Sequence, residues 1–309
     1  RCRSFGEGGS GYVPGEGVGV LILKPLKKAI ASGDNIYCTI KGTHINHGGR
    51  TRGYTVPNPK SQAKLISESL ELAGIDSHYV SYIEAHGTGT ALGDPIEIEG
   101  IEKVFSDNRN HDNKISIGSV KSNIGHLEAA AGMAGIMKVI LQMKYKQLVP
   151  SIHTDELNQN IDFDNSSVKV QRVLEPWKHR MVWEEGEEKQ IPYIATVSSF
   201  GAGGSNGHVI LQEYTKPNED IDTRLSELDK LFLFSANNES SLKEVLTKFI
   251  EAIDNNFNQS DQTIKHISYT LKTGREARNV RIAFRAENLL GLREKVQSYL
   301  EHEGRENIV

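Results

Sequence analysis

The 309-residue chain has little cysteine, no surplus of either charge and no long apolar run. Its two cysteines are Cys2, between arginines, and Cys38, in the strand-like run 36–40. Two thiols cannot build a disulfide framework, which excludes the small cross-linked secreted class. Thirty-six basic residues stand against 40 acidic ones, a formal net charge of -4. That balance offers no general field to nucleic acid or to an anionic membrane, so neither is an expected partner. No stretch approaches the ~20 apolar residues that cross a bilayer. With no secretory segment at its start, the expected compartment is the cytoplasm. A hydrophobic content of 37% suits a packed core, in one large domain or two ordinary ones.

What is present is histidine in glycine settings. His86 lies in Glu84-Ala85-His86-Gly87-Thr88-Gly89-Thr90, and His126 in Lys121-Ser122-Asn123-Ile124-Gly125-His126-Leu127-Glu128. Each follows an apolar strand-like run that gives way to small residues, where a buried backbone can hold an imidazole toward a narrow cavity. Two such loops point to one shared site. Gly93-Asp94-Pro95-Ile96-Glu97 follows the first loop, and Ser198-Ser199-Phe200-Gly201-Ala202-Gly203-Gly204-Ser205-Asn206 lies further on.

Other signals are weaker. His44 and His47 stand three apart beside a strand end with no third ligand near, so no metal site is expected. His111, His153, His179 and His208 have no partner signal and read as structural or solvated. The stretch Gly6-Glu7-Gly8-Gly9-Ser10-Gly11 fits the dinucleotide pattern but fails on context. Tyr12-Val13-Pro14 and a strand follow it, where pyrophosphate binding requires a helix N-terminus.

Along the chain, β-rich residues predict strands at 18–23 and 36–40, with a short helix over 25–31 between them. Residues 61–73 read as an amphipathic helix ended by Gly74, with Leu65, Ile66, Leu70 and Leu72 apolar. A strand over 79–85 delivers His86 at its C-terminal end, where chemistry gathers in α/β sheets. A helix over 96–105, a strand over 115–119 and a long helix over 127–145, rich in Ala and Gly and expected to pack against another backbone, follow. Residues 152–183 read as loop-rich, with an edge strand at 168–173, and 184–189 as a solvated acidic turn. Strands at 194–199 and 208–212 pair around the glycine-rich loop. The polar stretch 215–229 reads as a linker before a smaller α/β unit over 230–309. That unit has strands at 231–235 and 280–284 and helices at 240–253, 264–271 and 289–300. Periodicity alone gives the class α/β and no more.

The two histidine motifs, the Gly93–Glu97 segment and the glycine loop stand in the order of the ketosynthase signature, and the chain resembles the ketosynthases of polyketide and fatty-acid synthases. Arg1-Cys2-Arg3-Ser4-Phe5, Pro14-Gly15-Glu16-Gly17, Asn46-His47-Gly48-Gly49 and Pro57-Asn58-Pro59 are similar to those of bacterial modular polyketide synthases served by a separate acyltransferase. The likeness covers roughly residues 1 to 215. Gly274-Arg275-Glu276-Ala277-Arg278 is similar to the adaptor that follows such domains.

The resemblance implies a thiolase-like fold over 1–214, its C-terminal half with part of the N-terminal half, followed by the adaptor. It implies decarboxylative Claisen condensation of an acyl-cysteine with a malonyl group on an acyl carrier protein. His86 and His126 would be neutral, each giving one ring N–H to the thioester oxygen while the other nitrogen is held by a backbone group or water. Lys121 would stabilise developing charge or fix the nearby hydrogen bonds, paired with Asp94; a surface lysine is the alternative. Thr88 and Thr90 would bind the phosphopantetheine arm, or else merely cap the next helix. Phe200 and Ala202 belong to the oxyanion and gating loop, and the small Ala202 leaves room for a large intermediate. The domain itself would bind no cofactor and no metal. Its partners would be the carrier protein, neighbouring synthase domains and a second copy in a homodimer.

The nucleophile is missing. The family attacks with a cysteine in an Ala-Cys-Ser turn, and neither Cys2 nor Cys38 has that context. The chain therefore reads as a fragment beginning after the nucleophile and inactive by itself. Ser10, Arg52 and Gly207 depart from the family's usual acidic residue, Asn and Ala, and Arg52 bears on the substrate tunnel. A non-condensing docking module is the alternative reading, and a discrete fatty-acid enzyme is disfavoured by the tail and by Ala202.

Overall fold

In the computed structural model of the chain, which describes residues 1–51, 53, 56–106, 114–184, 186–216, 226–256 and 261–301, residues 18–23 do not form the predicted strand. Val18, Val20 and Ile22 face solvent, 94, 76 and 95% exposed. Gly17 and Gly19 pass so close to Leu127 and Met133 that a Cβ would meet those side chains at 2.7 and 2.3 Å. A strand needs a hydrogen-bonding neighbour, and no described strand pairs with this run. Arg52 lies outside the described residues, as do His111, Glu185 and most of the expected linker, 217–225.

The first of two compact units spans Arg1–Lys216. Helix α1 (Leu26–Ala31) forms where expected. Strand β1 (Cys38–His47) runs seven residues beyond the predicted end at Ile40 because it has a partner along its whole length. Helix α2 (Pro59–Ala73) opens on a cap in which Asn58 Oδ1 accepts the N–H groups of Lys60 and Ser61 at 3.1 and 3.3 Å. It closes on Gly74 at φ 62°, a left-handed cap. Leu65, Ile66 and Leu70 are buried, whereas Leu72, at the edge of the stripe and the helix end, is 65% exposed.

Strand β2 (Tyr82–Glu84), helix α3 (Gly93–Phe105), strand β3 (Ile115–Gly118) and the single turn α4 (Lys121–Ile124) carry the motif residues. The long helix predicted over 127–145 is divided into a 3-10 turn, Glu128–Ala130, and α5 (Ala131–Tyr145). Glu128, the first residue of the 3-10 turn, stands at φ 51°, a left-handed conformation that keeps an α-helix from starting at Leu127. Gly135 lets α5 press onto the sheet, since a Cβ there would sit 3.0 Å from Val197 and 3.1 Å from Glu84.

Short strands β4 (Gln147–Leu148) and β6 (Glu175–Pro176) pair with each other, and β5 (Val168–Val170) joins the main sheet at its edge. Of the run read as an acidic turn, Glu184 ends β7 (Arg180–Glu184) and Glu187, Glu188 and Lys189 open β8 (Glu187–Ile191), its antiparallel partner. Strands β9 (Ile194–Phe200) and β10 (Ser205–Glu213) then flank the glycine loop. The sheet order is β1-β10-β9-β2-β3-β5, antiparallel across the first three and parallel from β9 to β5. One face packs Ile66, Ile83, Ile98, Ile101, Phe105 and Ile117. A second cluster holds Tyr82, Val139, Met143, Trp177 and Val197.

The second unit spans Pro217–Val309. Strands β11 (Leu231–Ala236) and β12 (Val280–Arg285) pair antiparallel. Helices α6 (Glu239–Asn256), α7 (Asp261–Thr273) and α8 (Leu289–Glu301) cover them, and Phe232, Phe234, Leu246, Phe284 and Leu292 form their own core.

Candidate active site

Strands β1, β9, β2 and β3 run in one direction, so their C-terminal ends share one edge of the sheet. That edge gathers Gly48 after β1, Phe200 ending β9, His86 after β2, and α4 with His126 after β3. A cavity of about 800 Å³ lies between them, lined among others by Tyr12, His86, Thr88, His126, Phe200 and Ala202.

The His86 and His126 rings meet edge to face with centroids 5.3 Å apart. Phe200 N–H donates to His86 Nδ1 at 3.2 Å, and Glu128 N–H donates to His126 Nδ1 at 2.9 Å. An Nδ1 that accepts leaves the hydrogen on Nε2, so each ring is a neutral donor through Nε2. Burial first, then the Lys121 cation, holds His86 well below the ordinary imidazole range and lowers His126 as well. Glu128 partly offsets this at His126.

Backbone contacts fix both loops. Glu97 accepts the N–H of His86 on one oxygen at 2.7 Å and that of Gly87 on the other at 2.8 Å. Asp94, one helical turn earlier, accepts from Phe5 at 2.7 Å and Gly89 at 3.0 Å. Gly89 is at φ 74°, and a Cβ there would lie 2.6 Å from Arg3 N. On the other side, His126 N–H donates to Val13 O at 2.8 Å, and His126 O accepts from Gly15 at 2.9 Å. The Tyr12 ring lies 4.9 Å from His126, and the Glu128 carboxylate raises the pKa of its hydroxyl.

Lys121 is 3% exposed, so the surface alternative does not hold. No ion pair joins it to the expected Asp94, whose carboxylate accepts two backbone N–H groups and reaches Lys121 through its field. Lys121 instead sits in the combined field of Glu84, Glu97 and Asp94, which opposes the lowering of its pKa by burial. Burial raises Asp94 to about 6 and Glu97 to about 7 against those hydrogen bonds. The Thr90 hydroxyl accepts Gly93 N–H at 3.0 Å and so caps α3, while also lining the cavity with Thr88. Phe200 packs 5.6 Å from His86.

Cys38 stands at the far end of β1, nine residues or roughly 30 Å from His47, with its pKa pushed up to about 11 by burial. Cys2 accepts Val13 N–H at 3.0 Å and is buried. Neither lines the cavity. Among the described residues no group of three metal-ligating side chains exists, and no helix is long and apolar enough to cross a membrane. Glu97, Tyr12 and His47 were not singled out from the sequence as site residues. For Glu97 the signal was available, since Asp94 and Glu97 at i and i+3 share a helix face.

Residues 37–155 match the beta-ketoacyl synthase C-terminal domain, 158–282 the ketoacyl-synthetase C-terminal extension and 1–29 the beta-ketoacyl synthase N-terminal domain. The chain belongs to the beta-ketoacyl synthase family. It is similar to the polyketide synthases PksL and PksM of Bacillus subtilis (strain 168), 52 and 47% identical over 96 and 97% of its length. It spans only 6 and 7% of those proteins. The oxazolomycin ketosynthase domain OzmH KS7 of Streptomyces albus JA3453 superposes with a TM-score of 0.75 at 40% identity, over 97% of this chain and 50% of that one. The ketosynthase from module 6 of the bacillaene synthase of Bacillus subtilis 168 gives 0.73 and 40%, over 98 and 50%. The sheet is thus that of a thiolase-like ketosynthase domain, and the chain is ketosynthase sequence of the modular polyketide synthase kind.

Proposed function

We propose that the chain supplies the decarboxylating side of a ketosynthase site that extends an acyl chain by Claisen condensation. A malonyl thioester on the phosphopantetheine of an acyl carrier protein loses its carboxylate as CO2. The electron pair of the broken C–C bond passes to the α-carbon and thioester oxygen. The α-carbon then attacks the carbonyl of an acyl-cysteine, a C–C bond forms, and the C–S bond breaks to return a thiolate. Two Nε2–H donors aimed at the thioester oxygen lower the cost of its charge by a few kcal/mol each. The nucleophilic cysteine would come from ketosynthase sequence outside this chain, since neither Cys2 nor Cys38 lines the cavity.

The carrying observation is the pair of backbone bonds to Nδ1, which leaves both rings as donors facing each other across one cavity. Thr88 and Thr90 suit the amides of the phosphopantetheine arm, and the N–H of Ala202 suits a second oxyanion position. Burial, reinforced by the Lys121 cation, keeps both imidazoles neutral. Catalysis then needs the carrier protein, the neighbouring synthase domains and a ketosynthase dimer in the cytoplasm, with no metal or resident cofactor.

In a ketosynthase containing this chain, His126→Ala abolishes malonyl decarboxylation while acyl loading on the cysteine stays measurable. His86→Ala slows condensation at least tenfold. Equal loss of loading and decarboxylation in the first variant, or undiminished extension in the second, would remove these roles. The docking reading requires both variants to keep the parent's activity.

A further inference from the structure

His47 ends β1, and both of its ring nitrogens are engaged. Nε2–H donates to Gly203 O at 3.0 Å, and Nδ1 accepts Gly49 N–H at 3.0 Å. The turn that it holds is close-set. Gly48 N–H donates to Gly204 O at 2.8 Å, Gly204 N–H to Gly201 O at 2.9 Å and Gly201 N–H to Ser205 O at 2.7 Å. Gly204 stands at φ 92°, and a Cβ there would lie 3.0 Å from His47 Cε1, so the turn rests against the imidazole. His47 is itself anchored, its carbonyl accepting the Ser61 hydroxyl at 2.9 Å and its backbone paired with Ser205.

The same turn begins at Phe200, whose N–H holds His86 Nδ1. His47 and His86 therefore grip opposite ends of one six-residue segment, 200–205. We propose that His47 is a positioning residue for His86: by pinning Gly203 and Gly204 it keeps Phe200 N–H on His86 Nδ1 and so keeps Nε2–H free for the substrate oxygen. This rests on the reading of His86 as a hydrogen-bond donor in condensation.

The test compares the intact chain with its His47→Ala and His47→Gln variants, each labelled with ¹⁵N-histidine. In the wild type the His86 imidazole shows an unprotonated Nδ1 and a protonated Nε2. His47→Ala shifts that signature toward a mixture of tautomers, and the amides of 200–205 exchange with solvent at least about tenfold faster while those of 194–199 keep their protection. His47→Gln, whose amide can donate to Gly203 O, returns the wild-type signature. An unchanged His86 signature in His47→Ala overturns the proposal, as does failure of Gln to restore it. Loosening of 194–199 to the same degree also overturns it, since His47 would then merely support the sheet. Failure of the condensation reading shows instead in the activity of His86→Ala, and leaves these spectra as they are.

Discussion

The Phe200 N–H and the Glu128 N–H each close on the Nδ1 of a different histidine, and the two rings so fixed stand at 82° with centroids 5.3 Å apart. One donor comes from the end of β9 and the other from a left-handed residue after α4. The tautomers are thus set by backbone whose position depends on the sheet, and side-chain chemistry enters through the fields around them.

Lys121 provides the largest of those fields after burial. Its cation lowers both His86 and His126. Lys121→Met raises both imidazole pKa values, as followed by NMR titration of labelled histidines. It also removes a cation from the field of Glu84, Glu97 and Asp94, of which Glu84 keeps the Lys138 ammonium at 2.8 Å, and the loss is read as a lower midpoint in urea unfolding. Imidazoles that titrate where they did before would show that burial alone keeps them neutral.

Glu97 makes a pH-dependent contribution of a definite sign. Its carboxyl is raised from 4.5 to about 7, burial being the largest cause. Between those values the folded state binds the proton more tightly than the unfolded chain does. Stability from this group is therefore full below about 4.5 and is lost as pH rises through about 7. Glu97→Gln removes this dependence. The stability of the wild type relative to Glu97→Gln should fall by as much as roughly 3 kcal/mol between pH 4.5 and 7. A difference that grows with pH would mean that the two backbone N–H bonds outweigh desolvation.

Residues with local chemistry were the legible ones. Gly74 ended α2 as expected, and the runs 115–119 and 194–199 formed strands within a residue of their predicted bounds. The His86 and His126 loops met because each follows a strand in the parallel part of one sheet, a topology that the glycine settings signal but do not prove. What local pattern misses is a partner far along the chain. Residues 18–23 have every strand propensity and no neighbour, whereas β1 is lengthened by pairing with residues 205–213. The expected Lys121–Asp94 pair does not form, and Asp94 accepts instead from Phe5 and Gly89, 89 and 5 residues away, contacts that no local pattern marks.

Gly89 offers a test of that loop's geometry against a matched control. Gly89 and Gly33 stand at φ 74 and 67°, but a Cβ at Gly33 meets nothing within 4 Å while one at Gly89 lies 2.6 Å from Arg3 N. Gly33→Ala costs about 1 kcal/mol of left-handed strain. Gly89→Ala adds a backbone clash that shifts the loop off Asp94, so its thermal unfolding midpoint falls at least twice as far. Equal shifts would show that Arg3 yields without disturbing His86.

Glu128 acts on His126 in two separable ways. Its backbone N–H sets the tautomer, and its carboxylate raises the imidazole pKa against burial and Lys121. Glu128→Gln keeps the N–H and removes the charge. His126 should then titrate lower than in the wild type with its Nε2–H tautomer intact, and His86, held low by burial, Lys121 and His126, should move less. This is the opposite direction to Lys121→Met and acts mainly on one ring rather than two, so labelled-histidine titrations of the two variants distinguish a local carboxylate from a shared cation. A His126 that titrates higher in Glu128→Gln would mean that the carboxylate acts on the ring through its surroundings and not through its charge.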